Sequence, residues 1–270
     1  AKVFDLDGVR EWFGPNGVSE EAKKKGVKVH FGDAFEICVL KGSELPDTPE
    51  YAALRKYKGR VVFCGNNVKD ENMEVAMFQE LGSGPPTMAA GKSGDAYGLQ
   101  DDDHVVTVAD AVQAYCQTKL KGIKTWVRLP KSQWPKNWEG MKCPVVPLVM
   151  ALYGHPDSGG YWEDHCDTHL RAHEYVPVPG WWSCYTHKTL DVFLTVYVDD
   201  FKMSGKKADV AKAWALIRTP STPIPEGITI EDPGPVDRYL GCHHVIGSGW
   251  VNESGDLRDA PQDGYKKVRT

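Results

Sequence analysis

An α+β chain is what this sequence predicts, and three observations carry that reading. Short β-branched and aromatic runs recur along it, at 61–64, 104–108, 126–129 and 192–198. Helical stretches at Tyr161–Tyr175 and Ala208–Ile217 are grouped among these strands rather than alternating with them one for one. In the middle of the chain the order is strand, helix, strand, strand, which suits an antiparallel sheet backed by helices.

Taken in order, Val27–Phe31 and Ala34–Leu40 read as two short strands between glycines. Glu50–Arg60 reads as a short helix or turn leading into Val61–Cys64. Residues 82–98 are rich in Gly, Pro and Ser and predict a loop. His104–Val108 is a β-branched strand, and Ala111–Leu120 after it has helical character. Trp126–Leu129 is closed by Pro130, and a Trp/Pro-rich loop follows through Trp138. Pro144 and Pro147 make Cys143–Met150 an edge strand or an extended approach. Tyr161–Tyr175 ends before Pro177. Trp181–Tyr185 and Thr189–Val198 are strands, and Ala208–Ile217 is a helix. Tyr239-Leu240-Gly241 opens a last strand running to Ile246.

The 270 residues can bury a sizeable core, and 41% hydrophobic with 26% charged residues is ordinary for a soluble protein. No apolar run approaches bilayer length, so no membrane partner is expected. Seven scattered cysteines include no Cys-x-x-Cys pair. This argues against a disulfide framework or zinc ribbon and suits reduced thiols inside a cell, cytoplasmic or nuclear. The N-terminus lacks a secretory h-region and does not begin with Met, which suggests a fragment. A net charge of −5 weighs against broad nucleic-acid binding. Basic clusters nonetheless occur at 23–25, 55–60, 119–128 and 202–207, and acidic ones at 101–103 and 226–237.

The chemistry concentrates in Val192–Asp200, an apolar strand ending in two carboxylates. Two such charges about 4 Å apart repel by roughly 4 kcal/mol at an effective dielectric of ~20. Exposure at a hairpin tip or a bound hard cation relieves this repulsion. A two-metal phosphoryl-transfer site needs a third carboxylate, and Asp110 follows a strand directly. Asp110 also suits a helix N-cap. The amides of Val112, Gln113 and Ala114 would then offer a phosphate cradle. Gly91-Lys-Ser93 lacks the earlier glycine of a P-loop, because position 86 is Pro. His165, His169 and His173 share a helical spacing that fits a polar helix face better than a zinc site.

Asp110-Ala-Val-Gln-Ala-Tyr115, Leu152-Tyr-Gly154 with Trp162 beyond it, Tyr197-Val-Asp-Asp200 and Tyr239-Leu-Gly241 occur together in this order. In order and approximate spacing they resemble the reverse transcriptases of Ty1/copia-type retrotransposons. Lys58-Gly-Arg60-Val-Val and Thr125-Trp-Val-Arg-Leu-Pro130 resemble two further segments of that family. The resemblance implies a right-hand polymerase core: fingers and palm over 51–246, after an N-terminal extension at 1–50. Residues 247–270 would be a tail, with the thumb mostly absent. It implies that Asp110, Asp199 and Asp200 hold two Mg²⁺ ions, with Mn²⁺ as a substitute. Lys58 and Arg60 would contact the triphosphate, and Tyr115 would lie under the incoming deoxyribose. Tyr153 and Gly154 would line the nucleotide pocket, and Tyr239, Leu240 and Gly241 would support the primer terminus. The implied partners are an RNA or DNA template, a primer strand and dNTPs. The implied reaction is addition of deoxynucleotides to a primer 3′-OH.

The chain departs from the family after Gly154. His155-Pro-Asp157-Ser-Gly-Gly stands where the family carries a Lys and an Arg, which implies a weaker grip on template phosphates. Two other classes compete. Phe4-Asp5-Leu-Asp7-Gly resembles the nucleophile motif of haloacid-dehalogenase-type phosphatases, with Asp5 as nucleophile and Asp7 as acid/base. A non-catalytic nucleic-acid-binding remnant would keep the fold without turnover.

Overall fold

Apolar residues recur at every second position from Val29 to Val39, broken only at Asp33, and the segment folds as one long strand rather than two. Gly32 does not interrupt it, because a Cβ there would lie 2.3 Å from the Phe63 ring. Asp33 is held in register by a two-pronged ion pair with Arg128, at 2.7 and 3.1 Å. The computed structural model describes residues 2–78, 84–245, 247–252, 254, 257–258 and 266–269.

Along the chain the elements are β1 (Arg10–Glu11), α1 (Val18–Lys25), β2 (Val29–Lys41), β3 (Lys56–Phe63), α2 (Met88–Gly98), β4 (His104–Asp110), β5 (Lys124–Arg128) and β6 (Pro144–Pro147). Then come α3 (Ser158–Ala172), β7 (Tyr175–Pro177), β8 (Cys184–His187), β9 (Val192–Tyr197), β10 (Asp200–Lys206) and α4 (Lys207–Arg218). Six short strands follow: β11 (Gly234–Pro235), β12 (Arg238–Tyr239), β13 (Cys242–His243), β14 (Ser248–Val251), β15 (Leu257–Arg258) and β16 (Lys266–Arg269). The protein is a mixed α/β structure of the α+β kind. Among the described residues, no helix is long and apolar enough to cross a membrane.

The chain divides into two units, 1–81 with 115–162 and 82–114 with 163–270. In the first, five strands order as β1-β6-β5-β2-β3, with β2 and β5 parallel and the other pairs antiparallel. Phe63, Val127, Trp138 and Val146 pack one core cluster, and Trp12, Phe31, Trp126 and Val145 another. Residues 1–50 are therefore built into this sheet through β1, α1 and β2, instead of preceding it as an extension. β6 is not an edge strand: it lies between β5 and the two-residue β1, which leaves its prolines few ladder positions to spoil. The far halves of β2 and β3 form an exposed ribbon. On one of its faces Phe35, Ile37 and Val39 stand opposite Val62, Arg60 and Lys58.

The second unit is built on six strands in the order β11-β4-β10-β9-β8-β7, antiparallel throughout. Helices α3 and α4 cover one face. Trp214 Nε1 donates to Thr107 Oγ1 at 2.9 Å, Tyr175 Oη to Ala213 O at 2.9 Å and Tyr185 Oη to Asp167 Oδ1 at 3.0 Å. Helix α2 covers the other face, where the composition of 82–98 predicts a loop. Thr87 Oγ1 caps the helix by accepting from Ala90 N at 3.2 Å. Its small residues permit close approach, since a Cβ on Gly98 would lie 2.2 Å from Val106 Cγ2.

Three further expectations change. The segment 111–120 is not an α-helix, and only a 3₁₀ turn forms at Ala114–Gln117. Past β4 the chain is tied to a neighbouring segment, as Ala111 pairs with Ile230 and Val112 N donates to Thr229 O at 3.0 Å, and it then turns at Gln113, φ +50°. Of the basic cluster read at 202–207, residues 202–206 lie within β10 and Lys207 opens α4, with Phe201 and Met203 buried beneath that helix. The hairpin β12–β13 replaces the expected strand to Ile246, a residue outside those described.

Candidate active site

Strands β9 and β10 are joined by a two-residue turn, Val198-Asp199, closed by the pair Tyr197 and Asp200. Val198 has φ +56°, while Asp199 stays out of the left-handed region. This is the pattern of a II′ turn, which prefers Gly at its first central position. A β-branched residue there is strained by about 1–3 kcal/mol. The turn is pinned to β4 through its backbone, as Ala111 N donates to Asp199 O at 2.7 Å.

Across the sheet, Asp200 on β10 stands directly opposite Asp110, the last residue of β4. Facing residues of an antiparallel pair project to the same side, so the two carboxylates share the α2 face and hydrogen-bond to each other. Asp110 is further fixed because its carbonyl accepts from Glu231 N at 2.8 Å. Burial, the charges of Asp110 and Asp199, and the hydrogen bond with Asp110 push the Asp200 carboxyl up to about 6. Two facing carboxyl groups, with a third carboxylate on the adjoining turn, form a centre whose repulsion a hard cation would relieve. The donors are all carboxylate oxygens, which suits Mg²⁺ rather than a softer metal. The three carboxylates do not all close to mutual ligand spacing: Asp110 and Asp200 meet, and Asp199 stands beside them.

Among the described residues, the three-residue set at such spacing is Asp101, Asp103 and His104, at the other end of β4. There His104 Nδ1 faces Asp103 Oδ1 at 3.0 Å and Asp101 Oδ2 at 3.8 Å. The ring also stacks edge-on against Tyr97.

Tyr239 belongs to the same unit as the carboxylates. Its ring is buried, and its hydroxyl lies 3.4 Å from Thr195 Oγ1. Burial above all raises this phenol to about 12, against the lowering effect of the Thr195 bond, with the Asp200 charge adding to the rise. Leu240 and Gly241 are the two central residues of the β12–β13 turn, at φ +48° and +81°, the pattern of a I′ turn.

The other expected site residues fall in the first unit. The Tyr115 and Tyr153 rings pack at 4.5 Å between centroids. Gly154, at φ +87°, presses against the end of β3, where a Cβ would lie 2.1 Å from Phe63 O. Phe63 N donates to Tyr153 O at 2.7 Å. The Leu-Tyr-Gly segment is thus fastened to the strand that carries Lys58 and Arg60. Those two cations point to one face of the exposed ribbon.

The expected phosphate cradle after Asp110 is absent, since no α-helix starts there and the Val112 amide is spent on Thr229. His169 is a structural residue: its Nε2 contacts Ile217 O at 2.7 Å and its Nδ1 contacts Ser221 Oγ at 3.1 Å. Burial pushes this imidazole down to about 4, so it stays neutral near pH 7. Asp5 follows a single bridge residue rather than a strand, and its Oδ1 accepts from Gly8 N at 3.2 Å. That is a local turn and gives the phosphatase reading no strand end to work from.

Sequence reasoning missed Lys202 and Asp95, a buried ion contact on the Asp200 face, and the segment 228–231 that braces Asp110. The alternation of Phe201, Lys202, Met203 and Ser204 was the available signal for β10. No local signal marks Asp95 as the partner of Lys202. No family model and no curated protein matches this chain.

Proposed function

We propose that this chain is a right-hand polymerase core of the Ty1/copia reverse-transcriptase type, adding deoxynucleotides to a primer 3′-OH on an RNA or DNA template. The observation that carries the reading is the cross-strand pairing of Asp110 with Asp200, beside Asp199 on a strained hairpin turn. Asp110, Asp199 and Asp200 would hold two Mg²⁺ ions. When bound, the ions lower the pKa of the 3′-OH and neutralise charge on the triphosphate and leaving pyrophosphate.

The chain's own groups supply positioning. Asp110 and Asp200 are fixed by the β4–β10 ladder, so their oxygens need little reorganisation to receive cations. Lys58 and Arg60 offer a point charge and a fork to phosphates from one face of a ribbon. Alternate residues of an extended strand are about 6.8 Å apart, a spacing that also suits an extended nucleic-acid backbone. Tyr115, packed on Tyr153, is a rigid ring suited to lie under a sugar. The hairpin at Tyr239–Gly241 is the surface for the primer end.

The test is template-primed incorporation of dNTPs with Mg²⁺, comparing the parent with an Asp199→Asn/Asp200→Asn variant. Incorporation by the parent that the variant loses by at least ~10³-fold supports the reading. Failure of the parent on every template, with salt-sensitive binding retained, would mark a non-catalytic nucleic-acid-binding remnant.

A further inference from the structure

Lys202 is the one lysine in β10 that points into the interior, and it does so two residues from Asp200 on the same face of the sheet. Its side chain is 2% exposed. The ammonium lies 2.5 Å from Asp95 Oδ1 on α2, an ion contact rather than an aligned hydrogen bond, and donates to Gly91 O at 3.0 Å. It also sits 5.0 Å from the centroid of the Tyr239 ring, a cation–π distance. Thr195, directly across from Lys202 on β9, meets the Tyr239 hydroxyl. The second oxygen of Asp95 lies 3.4 Å from His244 Nε2, just past the β12–β13 hairpin. The Nδ1 of the same ring lies 3.2 Å from Cys242 O, which holds the ring with Nε2 toward Asp95. Asp95 thus bridges two side chains, Lys202 on the catalytic strand and His244 just past the hairpin.

An apolar side chain at position 202 would pack against α2 with no desolvation cost, and buried ion pairs commonly add little net stability. What such a pair does supply is direction, since it is satisfied in one arrangement only. We infer that Lys202, Asp95 and His244 form a clasp that fixes the Tyr239–Gly241 hairpin over the Asp110/Asp200 face, making Lys202 and Asp95 positioning residues for the primer end. The clasp itself stands on the contacts above; only the word primer rests on the polymerase reading. Because the hairpin is small and its two-residue turn holds Leu240 in a left-handed conformation, its own ladder gives it little independent stability.

Hydrogen exchange of the full chain, read over residues 238–244, tests the clasp without any requirement for activity. In Lys202→Met and in His244→Ala, protection of these amides should fall about tenfold or more, while protection of β4 and β10 stays at the parent level. His244→Gln, which keeps a donor facing Asp95, should restore most of the protection. His244 is at the surface end of the clasp, so His244→Ala decides the matter if Lys202→Met does not fold. In primer extension the same variants should raise the KM for primer–template severalfold, with the KM for dNTP near the parent value. Unchanged exchange over 238–244 in both variants overturns the clasp. Altered exchange in a chain that never incorporates nucleotide would leave the clasp standing and remove the polymerase reading alone.

Discussion

Asp200 holds its proton more tightly in the folded chain than in the unfolded one, because its carboxyl is raised from the ordinary value to about 6. For a raised acid the stabilising contribution is complete below the unfolded pKa, near 4, and disappears as pH climbs through about 6. At pH 7.5 in EDTA, Asp200→Asn is therefore expected to be more stable than the parent by roughly 1–2 kcal/mol, after discounting for partial exposure. At pH 4 the difference should vanish, and denaturant titrations at the two pH values would read it. Equal shifts at both would show that Asp200 is not the titrating group. Val198 offers a second test at this scale. Val198→Gly relieves a left-handed β-branched residue and should raise stability by about 1 kcal/mol. Nucleotide incorporation should fall severalfold, since Asp199 loses a fixed turn. A variant with unchanged thermal stability would mean that the parent turn carries no strain.

Helix α2 was hidden by its composition, because three glycines in eleven residues read as a loop. Two of them have different neighbours. A Cβ on Gly98 meets Val106 Cγ2 at 2.2 Å and Val105 O at 3.1 Å, whereas one on Gly91 meets nothing within 4 Å. Gly98→Ala should thus cost roughly 1–3 kcal/mol through overpacking. Gly91→Ala should stabilise by roughly 0.5–1 kcal/mol through helix propensity. Urea midpoints of the two variants, shifted in opposite directions, would establish that the helix is real and seated on the sheet. The opposite error occurred at 111–120, where the first residues of a helix-like run are tied to Ile230 and Thr229 and no α-helix starts. Local propensity loses in both places to a long-range contact. Strands β9 and β5 were legible because β-branched and aromatic residues dominate them, in Val192–Tyr197 and in Thr125-Trp126-Val127.

At the scale of the whole chain, a net charge of −5 means that, on the polymerase reading, nucleic acid would be held by local patches such as the β2–β3 ribbon. Lys58→Ala/Arg60→Ala is expected to weaken single-strand binding and to lower the slope of log K against log salt by about 1.4, near 0.7 for each lost phosphate contact. An unchanged slope would remove the ribbon from the binding surface. On the polymerase reading, Mg²⁺ should raise the melting temperature, by an amount that grows with the logarithm of metal excess. Asp110→Asn should abolish that rise, and a shift retained in this variant would place the metal elsewhere, with Asp101, Asp103 and His104 the next set to test.

The sequence alone determined the α+β class, the ends of strands β4 and β9 where carboxylates gather, and the order of motifs from Lys58 to Gly241. These are local properties, written in side-chain alternation and in residues adjacent along the chain. Only the tertiary structure decided that Asp110 faces Asp200, ninety positions away along the chain, that 1–50 complete a sheet, and that Lys202 reaches Asp95. Pairing register, and the burial of a charge beside its partner, depend on what folds against a segment, and no window of the chain contains that information.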